Sequence, residues 1–201
     1  MKKQTIFTQF SSEIYTHQPA LLTLFKKRVK KPITTSTIEI RPVQEEDEVE
    51  YLKNYRLSKA ILKPWVQAPK NATEFKEYVC EMSSEENKAF VVIDKKTQSM
   101  LGIVELRDIF MFDFKNSYII YFAFVPNLKK GCMSQAVKMV TKFAFNKLKL
   151  HRLEANIQPT NLASLALARS CGFIKEGYSP KFIKKNGKWK DHERWAILNE
   201  K

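Results

Sequence analysis

The clearest periodicity in the chain lies between Met133 and Leu148. Apolar residues fall there at 133, 136, 137, 140, 143, 144 and 148, which places them on one face of a helix. Upstream, Ile38-Glu39-Ile40-Arg41 alternates as a half-buried strand does. Residues 44–57 read as a helix whose acidic start, Glu45-Glu46-Asp47-Glu48, suits the positive end of the helix dipole. The apolar positions of 61–72 are broken by Pro64 and Pro69, and 73–83 predicts a second helix with Thr73 as its N-cap. Three strands follow, at 89–94, 100–108 and 118–125. The last is apolar on both faces, as in a covered central strand. Residues 152–157 predict a strand and 162–171 a helix closed by Gly172. Asn186-Gly187 joins strands at 173–185 and 188–198 in a two-residue hairpin turn. The order β-α-α-β-β-β-α-β-α-β-β predicts a mixed α/β sheet with helices on both faces.

Composition narrows the class. A chain of 201 residues, 44% hydrophobic, holds one domain of ordinary size and a short appendage. No apolar run of about 18 residues is present, so no transmembrane helix is expected. Lys2 and Lys3 are not followed by the apolar stretch of a secretory signal. Cys80, Cys132 and Cys171 are odd in number and show no disulfide or zinc spacing. A reduced, cytoplasmic protein without metal is expected. The net charge of +14 is uneven: residues 1–36 carry seven basic side chains against Glu13 alone. Residues 19–29 pattern as a short basic amphipathic helix, and 32–37 as a linker. The chain therefore divides into a basic extension, 1–36, and a domain, 37–201. The surplus of positive charge suits an anionic partner or ligand.

Two junctions can carry chemistry. In Val125-Pro126-Asn127-Leu128-Lys129-Lys130-Gly131-Cys132-Met133-Ser134 a strand ends, a basic loop follows and the long helix begins. Unpaired N–H groups and the helix dipole make such a place an anion site. It equally fits an ordinary turn with solvated lysines. In Gln158-Pro159-Thr160-Asn161-Leu162-Ala163-Ser164, Asn161 and Ser164 fit a helix cap, or an amide that holds a ligand and a hydroxyl that donates a proton. Trp65 either lines a pocket or anchors the core. His17, His151 and His192 read as structural, and no Ser/His/Asp set is evident.

Six strings occur in order: Leu62-Lys63-Pro64-Trp65; Lys130-Gly131-Cys132-Met133; His151-Arg152-Leu153-Glu154-Ala155-Asn156; Pro159-Thr160-Asn161-Leu162-Ala163-Ser164; Cys171-Gly172-Phe173-Ile174-Lys175-Glu176-Gly177; and Asn186-Gly187-Lys188-Trp189-Lys190-Asp191-His192. Over residues 37–199 the chain resembles the ribosomal-protein N-terminal acetyltransferases of the RimJ/RimL type, within the GNAT superfamily. The resemblance implies a sheet splayed at the cofactor site and transfer of acetyl from acetyl-CoA to a primary amine. It implies that the loop through Lys129, Lys130, Gly131, Cys132, Met133 and Ser134 binds the pyrophosphate. The backbone at Phe124 and Val125 would pair with the pantetheine, Asn161 would hold it, and Ser164 would protonate the leaving thiolate. Leu128 stands where the family carries Gln or Arg, and Ile183 where some members carry a Glu proposed as base. Glu105, Asp108 and Tyr121 are the remaining candidates for a base or water-positioning group, and Trp65 for acceptor contact. An N-terminal α-amine, with a reference pKa of about 8, needs less deprotonation than a lysine at about 10.4. The favoured acceptor is thus a protein N-terminus, ribosomal by resemblance, with the basic arm on ribosome or RNA. The alternatives are a small amine such as an antibiotic or polyamine, and a degenerate module that only binds RNA or ribosomes.

Overall fold

The computed structural model describes residues 32–125 and 131–200. The predicted basic helix at 19–29, and Leu128, Lys129 and Lys130 of the predicted pyrophosphate loop, lie outside the described residues. Eight strands form one sheet: β1 (Ile33–Thr34), β2 (Ile38–Pro42), β3 (Lys88–Asp94), β4 (Met100–Phe110), β5 (Asn116–Ala123), β6 (Arg152–Ile157), β7 (Ile174–Lys185) and β8 (Lys188–Leu198). Their spatial order is β1-β2-β3-β4-β5-β6-β8-β7. Every neighbouring pair is antiparallel except β5 and β6, which are parallel. Four α-helices pack on it: α1 (Glu48–Leu62), α2 (Ala72–Met82), α3 (Cys132–Asn146) and α4 (Leu162–Ser170). No described helix is long and apolar enough to cross a membrane.

The mixed α/β architecture agrees with the sequence reading, with three local corrections. The segment read as a linker, 32–37, carries β1, which pairs with Ile40 and Glu39 of β2. Thr35 and Thr37 both donate side-chain hydrogen bonds to Gln135 Oε1 on α3, at 3.3 and 3.1 Å. The first helix starts with a 3-10 turn at Glu45–Asp47 and runs on to Leu62, because Tyr51, Leu52, Tyr55, Ser58 and Leu62 keep a buried stripe in phase. Pro64 then forbids a further turn. The cap of α2 is Asn71 and not Thr73: Glu74 N–H donates to Asn71 Oδ1 at 2.9 Å, which places Thr73 inside the helix.

Helices α1 and α2 cover one face of the sheet, over Val91, Ile103, Phe122 and Phe124. Helix α3 covers the other, where Phe143 meets Phe90 edge to face at 5.2 Å. Its first turn is pressed hard against the sheet. A Cβ at Gly102 would lie 2.7 Å from Met133 Sδ and 2.4 Å from Phe122 O, so the residue opposite Ala123 has no room for a side chain. At the hairpin tip Asn186 and Gly187 both adopt positive φ, 49° and 79°, as the primed turn requires.

Candidate active site

Strands β5 and β6 pair over only three positions: Asn116 with Arg152, Ser117 with Leu153 and Tyr118 with Glu154. Beyond them β5 stays on β4 as far as Ala123, and β6 stays on β8 as far as Ile157. The two strands therefore diverge, and the sheet opens into a wedge. Phe124 N–H donates to Leu101 O at 2.8 Å, which sets the even-numbered residues of β5 as the hydrogen-bonded partners of β4. The odd-numbered residues Ile119, Tyr121 and Ala123 accordingly turn their N–H and C=O groups toward the wedge. The N–H groups of Phe124 and Val125 are engaged elsewhere. Phe124 is bonded to β4, and Val125 N–H donates to the buried Ser58 hydroxyl at 3.0 Å. Tyr118 and Ile120 are only half-buried, so the strand read as covered on both faces is open on the α1–α2 side.

Two helix N-termini flank the wedge. Gly131 takes φ +72° and caps α3, and Gln135 N–H is the first to bond back, to Gly131 O at 3.2 Å. The N–H groups of Met133 and Ser134 precede the first residue that bonds back within the helix. No acidic residue occupies its first turn. Met133 is buried against Gly102, and Cys132 and Ser134 are half-buried. At α4, Ser164 N–H donates to Asn161 Oδ1 at 3.2 Å, so Asn161 caps the helix and keeps its Nδ2 donor. Tyr121 OH donates to Ser164 O at 2.9 Å. Burial pushes the Tyr121 phenol above its ordinary pKa, so it stays neutral and clamps the start of α4 to β5. Ser164 is half-buried, and its hydroxyl makes no hydrogen bond among the described residues.

On the α1–α2 side lies a cleft of about 830 Å³, bounded by the end of α1, the 63–70 loop, α2, Arg107 and the β7–β8 turn. Side chains from distant segments tie this rim together. Asn186 Nδ2 donates to Lys63 O at 3.1 Å, and Gln158 Nε2 to Pro64 O at 3.2 Å. Lys59, Lys63, Lys70, Glu77 and Tyr78 face the cleft. Trp65 is half-buried and is not among its lining residues.

An open sheet edge, a helix N-terminus free of acidic residues and an adjoining cleft together suit a long anionic thioester and an amine. Comparison with known proteins decides the family. The sequence profile of the Acetyltransferase (GNAT) domain matches residues 37–174. The chain belongs to the GNAT acetyltransferases. It is 37% identical over 130 residues to the probable N-acetyltransferase YjcK of Bacillus subtilis, covering 65% of this chain and 70% of that one. It is 25% identical to the [ribosomal protein uS5]-alanine N-acetyltransferase of Escherichia coli, over 84% of this chain and 91% of that one. The fold is that of the ribosomal-protein-S5-alanine acetyltransferase from Vibrio fischeri, with a TM-score of 0.77 at 24% identity, covering 85% of this chain and 97% of that one. The chain is an N-acetyltransferase, and acetyl-CoA is its acyl donor.

Within this GNAT site one of the two carboxylates named as bases, Glu105, is held by other groups, and the other, Asp108, lies outside the cleft. Glu105 is 3% exposed; Tyr78 OH donates to one oxygen and Arg107 Nε to the other, each at 2.7 Å. Arg107 also reaches Glu81 at 2.8 Å. Burial, with Glu105 beside it, drives the Tyr78 pKa well up, so that phenol remains a donor. Asp108 is exposed, with φ +50° near the end of β4, and does not line the cleft. Ser58, Tyr78 and Arg107 were not singled out in the sequence. Each matters through a partner 26 to 67 positions away, a relation that no local pattern carries.

His192, 2% exposed on β8, donates from Nδ1 to Lys190 O at 2.9 Å. Burial lowers its pKa, so the native state favours the neutral ring. The unfolded chain binds a proton near pH 6.5, before the folded one does, so stability should fall as pH drops from about 6.5 toward the lowered native value. Melting temperatures at pH 7.5 and 5.5 should therefore differ more in the wild type than in His192→Phe. Equal pH sensitivity would contradict this account of His192.

Proposed function

We propose that the enzyme acetylates the N-terminal α-amine of a protein, by direct attack of the amine on acetyl-CoA within one ternary complex. The observation that carries this reading is the state of the carboxylates on the acceptor side. Glu105 is held by Arg107, and Glu154 by Arg152 at 2.7 Å, so each is already engaged by a guanidinium and turned to that partner. An α-amine is the protein amine that needs least help to lose its proton, with a reference pKa of about 8. The similarity to the uS5-alanine N-acetyltransferase of Escherichia coli supports a ribosomal-protein acceptor.

The pyrophosphate is assigned to the first turn of α3, from Gly131 to Ser134, with Lys129 and Lys130 adding charge. Asn161 Nδ2 is assigned to a pantetheine carbonyl. The N–H groups of Tyr121 and Ala123, in place of those of Phe124 and Val125, face the thioester and polarise its carbonyl. One such donor on the developing oxyanion is worth about 3 kcal/mol. Holding amine and thioester in line supplies up to about 7–11 kcal/mol more. Ser164 protonates the departing thiolate; Tyr121 positions Ser164 and does not exchange protons itself. Glu105 keeps Arg107 and Tyr78 in place at the cleft wall. The basic residues of 1–31 precede a domain that begins with β1, and their role is contact with an anionic partner such as ribosomal RNA.

The acceptor class is tested with lysine-free peptides. A peptide with a free N-terminal alanine should be acetylated by acetyl-CoA, and the same peptide with a formylated N-terminus should not. Faster turnover of spermidine than of every peptide would replace this reading with a polyamine acceptor.

The two α4 residues should separate in kinetics. Asn161→Ala should weaken CoA binding and cost about 1 kcal/mol as a lost cap. Ser164→Ala should lower kcat with CoA affinity retained, as for a group that acts in the transition state. Calorimetry and steady-state rates check both. Full turnover in Ser164→Ala would leave water as the proton donor.

A further inference from the structure

The wedge holds one side-chain atom that the fold leaves unsatisfied. Asn156 Oδ1 is buried and accepts no hydrogen bond. Buried polar atoms are nearly always paired, and one left unpaired raises the free energy of the folded state. Its position explains the lack of a partner. Asn156 lies on β6, two residues beyond Glu154, the last residue that pairs with β5. Side chains alternate along a strand, so Asn156 shares its face with Glu154, and hence with Tyr118 and Ile120 across the gap. That is the face on which Glu105 lies, opposite Ile120, and toward which the acceptor cleft opens. On its other side Asn156 is opposite Arg194 of β8, the nearest donor by register. The Arg194 guanidinium instead lies over Gly177 of β7, where a Cβ would be 2.7 Å from its Nη2. Gly177 thus gives Arg194 a place away from the wedge.

We infer that Asn156 Oδ1 receives an N–H of the acceptor amine and aims the nitrogen lone pair at the thioester carbon. Amine and carboxamide are complementary here. A neutral primary amine has two N–H donors and one lone pair, so an acceptor oxygen on the side away from the thioester fixes the lone pair toward it. As the lone pair forms the N–C bond, nitrogen gains positive charge, and the N–H bond to Oδ1 becomes charge-assisted and stronger. The C–S bond then breaks with its electron pair on sulfur; nitrogen gives its extra proton to water, and the CoA thiolate takes one from Ser164 or water. The bond to Oδ1 strengthens on the way to the transition state, so its loss should fall on kcat as well as on KM. Asn156 adds a contact to the acceptor site proposed above, and it does not depend on whether the amine belongs to a peptide or a polyamine.

The test uses Asn156→Ala and Asn156→Asp in the full chain, with whichever amine the wild type turns over. Asn156→Ala should lower kcat/KM for the amine by about tenfold or more while the CoA dissociation constant stays within about twofold. Its melting temperature should equal or exceed that of the wild type, because the substitution removes an unsatisfied atom and breaks no side-chain hydrogen bond among the described residues. Asn156→Asp keeps an acceptor oxygen and should recover much of the lost rate above the pKa of its carboxyl. A fall in melting temperature would give Asn156 a structural role and overturn the inference. A parallel loss of CoA affinity would place Oδ1 on the pantetheine and overturn it too, as would an unchanged kcat/KM. Failure of peptides alone as acceptors would overturn the α-amine reading and leave this one standing.

Discussion

The organising constraint is the parting of β5 from β6 after three residue pairs. A sheet that opens in its middle leaves backbone N–H and C=O groups without partners, and these are costly wherever water is excluded. The fold holds the gap open with bonds from outside the sheet. Ser58 on α1 takes the Val125 N–H, Tyr121 holds the Ser164 carbonyl, and Gln158 and Asn186 reach the 63–70 loop from the other half of the sheet. The ring of Phe124, wholly buried against Tyr51 and Phe122, pins the end of β5. The open edge is then a fixed feature, ready for a ligand whose amides can complete the ladder.

Charge is arranged around that opening by pairing. Arg107 binds Glu105 and Glu81, and Arg152 binds Glu154 and Glu176. Removing one member of the buried Glu105 pair would strand the other, which typically costs about 3–5 kcal/mol. These carboxylates therefore serve as partners of arginine. The first turn of α3 carries no acidic residue.

Much of this architecture could be read from residue order. The apolar positions of α3, the Asn186-Gly187 turn and Gly172 at the end of α4 each depend on neighbours within one or two turns, and each predicted its element. What escaped depends on distance in sequence. β1 has only two residues and no pattern of its own; it exists because β2 offers an edge and Gln135 a hydrogen-bond partner. Asn71 and Thr73 are both good cap types, and the choice between them is settled by the path of the chain after Pro69. The register of β5 against β4 decides which amides face the wedge, and no local pattern shows that the N–H groups of Phe124 and Val125 are taken by Leu101 and Ser58. Tyr121 OH donates to Ser164 O and ties β5 to α4, a contact 43 positions apart that no local pattern carries. Asn156 lay within a motif of the family resemblance, yet only the geometry shows its oxygen without a donor.

The central claim is that the open edge of β5 receives the acyl donor. Amide hydrogen exchange, resolved by residue, tests it with and without saturating CoA. The account predicts that Tyr121 and Ala123, unpaired in the free protein, gain about tenfold protection or more, while Phe124, already bonded to Leu101, changes little. CoA that binds yet leaves the exchange of Tyr121 and Ala123 unchanged would contradict it.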